Sequence, residues 1–238
     1  MSRPLFKQEF YLKADNEQEV AHEGLLSFAD ISRSGIEIVK RSKTFKVIEL
    51  IAFQFPYSSN LNSWSENVSS LIVSDEFKSF ISDTDVTFSV SDSSVTLIPK
   101  SLYSEKEKTQ SFEFLFGNSD DFLIESQEFS NSDTIGVFGI PKRIAEVISE
   151  PIQSSYLNWV DGLPNDFSKA RANVVLTEKH FALVIQKDGK LISSNWFEYS
   201  KHDDVIYYLM ASLETLKILH SEVDVVLNGT IETGENMY

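Results

Sequence analysis

The stretch 173–229 constrains the fold of this chain more than any other, because its residues prescribe three strands, a helix and a fourth strand in that order. Val174, Val175 and Leu176 form a short apolar run. Phe181, Leu183 and Ile185 alternate with Ala182, Val184 and Gln186, so the second strand is apolar on both faces almost to its end. Lys187-Asp188-Gly189-Lys190 then centres Asp-Gly in a turn, the strongest short-range hairpin signal, and β-type residues resume over 191–199. The strands flanking this turn are expected to be antiparallel neighbours. The tight polar connection Glu178-Lys179-His180 pairs the first strand with the second in the same way. Val205, Leu209, Leu213 and Leu216 follow at helical spacing, with Ile206 and Met210 widening the stripe. Asp203 is a candidate N-cap, and Asp203 and Asp204 both sit where the helix dipole favours anions. A short apolar run, 223–227, ends the stretch, with Asn228-Gly229 behind it. A helix between the third and fourth strands is a crossover connection, which places the fourth strand parallel to the first and beside it.

The same order recurs nearer the N-terminus. Strands are expected over 25–30, 34–40 and 45–55, a helix over 60–80 on the face of Leu61, Trp64, Val68, Leu71 and Ile72, and a strand over 86–90. Between the copies, 95–98 reads as a strand, 104–116 as a helix, and 122–129 and 134–140 as two strands about the turn Ser130-Asn131-Ser132-Asp133. Pro141 stands at the favoured first turn of a further helix carrying Ile144, Val147 and Ile148. Gly162 and Pro164 mark 154–169 as the domain boundary. The expected organisation is an arm over 1–24 packed through Phe6, Phe10, Tyr11 and Leu12, a first domain over 25–153, and a shorter second domain over 154–238. Both domains are α/β, with two mixed five-stranded-type sheets and crossover helices.

Composition narrows the function classes. A net charge of −15 opposes binding to nucleic-acid phosphates and anionic membranes. No cysteine is present, which excludes disulfides, thiolate metal sites and cysteine nucleophiles. The four histidines, His22, His180, His202 and His220, share no metal-ligand spacing. No long apolar run marks a signal peptide or a membrane span, so the cytoplasm is the expected compartment.

Three antiparallel strands, a crossover helix and a parallel strand begin the ribonuclease-H-like fold, and two such units in tandem resemble the actin-like ATPase superfamily. In particular the chain resembles an uncharacterised bacterial branch of it, a family of unknown function. The resemblance implies ATP and Mg²⁺ in a cleft between the halves, held by two phosphate loops and an adenosine loop. The run Asp30-Ile31-Ser32-Arg33-Ser34-Gly35 matches the first loop, with Asp30 in place and Ser32 where the superfamily has a glycine. Thr177-Glu178-Lys179-His180 matches the second and has no glycine at all. Asn228-Gly229-Thr230 matches the adenosine loop. Glycine gives a phosphate loop both its backbone angles and its clearance. The expectation is therefore a non-enzymatic interaction or assembly protein with a protein partner and no cofactor. The alternative is a nucleotide-binding ATPase or kinase-like protein using Asp30, Ser32, Gly35, Thr177, Asn228 and Gly229.

Other candidates are weaker. Asp30, Glu49 and Asp85 occupy strand positions reminiscent of a two-metal carboxylate site, but 36 acidic residues make such coincidences common. His180 and His202 lack a serine nucleophile motif and read as turn residues. Trp64, Trp159 and Trp196 read as core or interface side chains. Tyr207 and Tyr208 flank the helical stripe and are expected to pack between the halves.

Overall fold

The architecture is taken from a computed structural model, which describes residues 7–13, 25–44, 46–82, 84–92, 94–129, 132–166, 169–177 and 179–229. Phe6 and Thr230, singled out above, lie outside them, as do His22, Glu178 and most of the 1–24 arm. The chain forms two compact units. One comprises Met1–Glu128 with Ile135–Trp159, and the other Phe129–Thr134 with Val160–Tyr238.

In the first unit, β2 (Leu25–Ile31), β3 (Gly35–Ser42) and β4 (Val47–Gln54) are successive antiparallel neighbours. The chain then crosses over through α1 (Leu61–Ile72) and α2 (Asp75–Ile81) to β5 (Asp85–Val90), which lies parallel to β2. The helical periodicity over 60–80 thus belongs to two helices. Asn60 caps the first, its side chain accepting from the Ser63 N–H. Ser74 starts the second, its hydroxyl accepting from the Phe77 N–H, with Asp75 and Glu76 in the first turn. A serine followed by two acids is itself a helix start, which periodicity alone does not reveal. Trp64, Val68, Leu71 and Phe77 are fully buried, and Phe77 packs between Phe53 and Phe88.

Two further strands complete this sheet in the order β1-β4-β3-β2-β5-β9. The first is β1 (Lys7–Lys13), drawn from the expected arm and antiparallel to β4. The second is β9 (Ile152–Ser154), parallel to β5. The expected boundary segment, 154–169, carries α5 (Ser155–Asp161), whose Tyr156, Leu157 and Val160 are buried, and the division between the units falls within it, between Trp159 and Val160. The turn residues Gly162 and Pro164 follow only after that helix. A separate sheet, β6-β8-β7, is built from β6 (Val95–Pro99), β7 (Phe122–Glu128) and β8 (Thr134–Pro141). It packs on α3 (Lys108–Phe116) through Phe112, Ile124 and Val137. Pro141 closes β8, and the helix expected to start there is the single turn α4 (Lys142–Ala145). The pair of five-stranded sheets is therefore replaced by sheets of six, four and three strands among the described residues.

The second unit follows the 173–229 pattern. Its sheet runs β12-β11-β10-β13, from β10 (Ala170–Leu176), β11 (His180–Lys187), β12 (Lys190–Glu198) and β13 (Val223–Gly229). β11 is antiparallel to both β10 and β12, and β13 is parallel to β10. This matches β4-β3-β2-β5 strand for strand. The crossover is α6 (His202–Thr215), which places Val205 and Leu213 against Ala172, Val174, Phe181 and Leu183. Asp204, rather than Asp203, serves its N-terminus, accepting from the backbone N–H of Ser200 and Lys201 at 2.9 and 3.0 Å. Tyr208 packs within this unit, stacked 4.4 Å from Phe197, whereas Tyr207 is 68% exposed. No helix among the described residues is long and apolar enough to cross a membrane.

Candidate functional site

In an open sheet with parallel strands, ligands bind beyond the carboxyl ends of those strands. The first unit has three mutually parallel strands, β2, β5 and β9, in adjacent positions. Their registers pair Asp30 with Ser89 and Val90 with Ser154, so all three end together. A serine cluster about Asp30 results. Ser89 Oγ donates to Asp30 Oδ1 at 2.8 Å, and Ser155, the first residue of α5, donates to the same oxygen. Protein encloses Asp30 on most sides while leaving it some solvent access. Burial pushes its carboxyl above the ordinary aspartate value, and the hydroxyls of Ser155, Ser89 and Ser91 only partly oppose that shift. Glu37, directly across on β3, is also raised, by its own burial and then by the charge of Asp30.

The turn after β2 uses its polar groups on itself. Ser32 N–H donates to Gly35 O at 2.9 Å, its hydroxyl donates to the same oxygen, and the Ser34 N–H donates to Ser32 Oγ at 3.4 Å. Ser32 O accepts from Trp64 Nε1 at 2.6 Å. Arg33 makes a two-point ion pair with Asp92 at 3.0 and 3.1 Å and lies 4.1 Å over the Trp64 ring. Arg33 Nη1 is buried with no hydrogen-bond partner among the described residues. Gly35 is required for a different reason from phosphate clearance. A Cβ there would stand 2.3 Å from Phe53 O, so its missing side chain lets β3 approach β4.

In the second unit, Thr177, Asn228 and Gly229 gather at the carboxyl ends of the parallel pair β10 and β13. The Thr177 turn is equally closed. Its N–H and its hydroxyl both donate to His180 O, at 2.9 and 2.8 Å, its Oγ1 accepts from the His180 N–H, and its carbonyl accepts from Tyr199 OH at 2.7 Å. Gly229 has φ +100°, and a Cβ there would stand 2.0 Å from Leu176 O. Its conformation serves strand contact. Asn228 is exposed.

These turns lack the glycines of a phosphate loop and spend part of their N–H groups internally. A phosphate clamp needs several backbone N–H groups converging on one anion, and in these turns the N–H groups of Ser32 and Ser34, and of Thr177 and His180, are committed to neighbouring oxygens. The carboxylate trio does not assemble either. Glu49 is held by Lys40 at 3.0 Å and Lys13 at 3.6 Å, which together with Tyr11 lower its pKa against burial. Asp85 pairs with Leu26 at the opposite end of β2 and is exposed. Among the described residues no group of three or more His, Cys, Asp or Glu is arranged to hold a metal. Among the described residues, no hydrogen bond joins a histidine or lysine to Ser89 or Ser155 beside Asp30. Sequence reasoning found Asp30 but missed Ser89, Ser91 and Ser155, and the Arg33–Asp92–Trp64 lock. The legible signal was serine at and just beyond the end of the strand expected to run parallel to the Asp30 strand.

Comparison with solved structures places this architecture. The chain is similar to a Bacteroides thetaiotaomicron protein with an actin-like ATPase fold and unknown function, at 17% identity, TM-score 0.78, covering 90% of this chain and 86% of that one. It is also similar to the PilM-PilN type IV pilus biogenesis complex, at 12% identity, TM-score 0.55, covering 87% and 81%. These likenesses establish the actin-like fold. Comparison with curated proteins gave no match. Residues 38–238 match the DUF3822 family, described as protein of unknown function, and the chain belongs to that family.

Proposed function

We propose that this protein is a non-catalytic interaction or assembly protein working on an actin-like scaffold. The observation that carries the reading is that both phosphate-loop turns, at Ser32 and at Thr177, lack the expected glycines and turn N–H groups of Ser32, Ser34, Thr177 and His180 onto their own side chains and carbonyls. A turn so closed must break its own hydrogen bonds before it can offer N–H groups to a phosphate, at about 0.5–1.5 kcal/mol for each bond. The Ser89 and Ser155 hydroxyls both donate to Asp30 Oδ1, and burial raises its pKa, so this carboxylate is held by serines rather than left solvated. One similar solved structure is the PilM-PilN type IV pilus biogenesis complex, which is compatible with a protein partner here. A net charge of −15 favours a protein over a nucleic-acid partner. A cytoplasmic setting belongs to the proposal and is compatible with a cysteine-free sequence.

Calorimetric titration with ATP and ADP, with and without Mg²⁺, tests this directly. The expected result is no saturable heat, with phosphate release at the rate of the protein-free blank. Magnesium-dependent turnover that disappears in Asp30→Ala would overturn it and establish the nucleotide-binding alternative.

A further inference from the structure

The first unit has a cavity of about 620 Å³ that none of the strand-end residues lines. One wall is the β7–β8 hairpin. Ile124 and Val137 turn to the other side of that hairpin, onto Phe112. Alternate residues of a strand point to opposite faces. Leu123, opposite Ile140, and Glu125, opposite Phe138, therefore share the cavity face. The far wall is formed by α4, Ile148 and the approach to β9. Phe138, Ile140 and Ile148 give the cavity an apolar floor, while Leu123 is 43% exposed at its mouth.

Among the described residues, two unpaired sheet edges flank this space. β7 ends the three-stranded sheet and β9 ends the six-stranded one. An edge strand leaves a row of backbone N–H and C=O groups available for another strand. These edges do not pair with each other. A side-chain bridge joins them instead: Gln127 Nε2 donates to Asn158 Oδ1, and Asn158 Nδ2 donates to Gln153 Oε1, both at 2.8 Å. The charged residues lining the cavity are Glu125 and Glu150, and no cation lines it. Lys108 approaches Glu125 at 3.8 Å from outside and is paired more closely with Glu105. An apolar floor, an unpaired strand edge and two rim carboxylates specify an occupant that is extended and carries both apolar and basic side chains on one face. A second copy of this chain, itself at −15, is a poor match for that rim.

We propose that this cavity receives an extended basic segment of a partner protein. The segment adds as a strand to the free edge of β7, with the apolar and the Lys or Arg side chains of one face, two positions apart, turned to the cavity, the apolar ones towards Phe138 and Ile140 and the basic ones towards Glu125 and Glu150. The proposal rests on the interaction-protein reading and names the partner surface.

The test is selection of a display library of short random peptides against the full chain, followed by affinity measurement of the recovered peptides. The expected peptides carry apolar and basic residues at positions two apart, on one face of a strand, and slow amide exchange along β7. Their binding weakens by about tenfold or more in Glu125→Lys/Glu150→Lys and in Leu123→Arg, all at exposed or partly exposed positions that leave folding intact. A proline within the peptide, which removes a ladder donor, abolishes binding. Failure to recover any peptide would overturn the proposal, as would recovered peptides indifferent to these substitutions, helical when bound, or acting only by dimerising the protein. None of those failures would restore nucleotide binding, which the calorimetric titration reads independently.

Discussion

Asp30→Asn should change how stability depends on pH, in a direction fixed by the geometry around Asp30. Burial raises the folded-state pKa of Asp30 above its ordinary value of 3.8. Below the unfolded-state pKa the group is protonated in both states, so its contribution to stability is then fully present. Between the unfolded and folded pKa values the native state holds more protons than the unfolded state, and stability falls as pH rises. Above the folded pKa the full loss persists as a plateau. The slope in that window is at most about 1.4 kcal/mol per pH unit for one proton. The hydroxyls of Ser89 and Ser155 can still donate to the amide oxygen of an asparagine, so the hydrogen-bond pattern around Oδ1 is retained. Only the cost of the charge is removed. Glu37 reinforces the effect, because part of its own upward shift comes from the Asp30 charge. Urea unfolding of wild type and Asp30→Asn across pH 4–8 measures this, the window opening at the ordinary aspartate value of 3.8. The variant should gain stability relative to wild type as pH rises from the acid end, then hold a constant advantage. Superimposable pH profiles, or a wild type that gains on the variant as pH rises, would refute the account of a desolvated carboxylate.

Leu213→Ala should lower unfolding free energy by about 2–5 kcal/mol, with an unchanged denaturant slope, because it empties a buried position between α6 and its sheet; an unchanged midpoint would contradict that packing. Trp64→Phe keeps most of the buried ring but leaves Ser32 O without its indole donor, which should cost about 1–3 kcal/mol and accelerate amide exchange in the turn after β2. Exchange rates matching wild type there would show that the turn does not depend on this bond.

The sequence determined the second unit almost entirely. The Asp188-Gly189 turn, the apolar alternation of β11 and the spacing of Val205, Leu209 and Leu213 are local signals, and local signals fix which strands are adjacent and that the last must run parallel. The same reasoning located Asp30 at a strand end and noted Ser32 where glycine was expected. Tertiary structure decided what lay between nonlocal partners. β9 is three residues long and gains its identity only by pairing with β5, far away in sequence, and β1 only by pairing with β4. Periodicity cannot register a strand whose partner supplies its hydrogen bonds. The Asp30 site depends on the same fact. Ser155 reaches Asp30 across 125 positions of sequence because β9 delivers the start of α5 to the ends of β2 and β5. The residues of the cavity were visible as two unremarkable strands and a helix begun at Pro141. Their use as a walled space between two sheet edges follows from where the chain ends each sheet, which no stretch of the sequence encodes by itself.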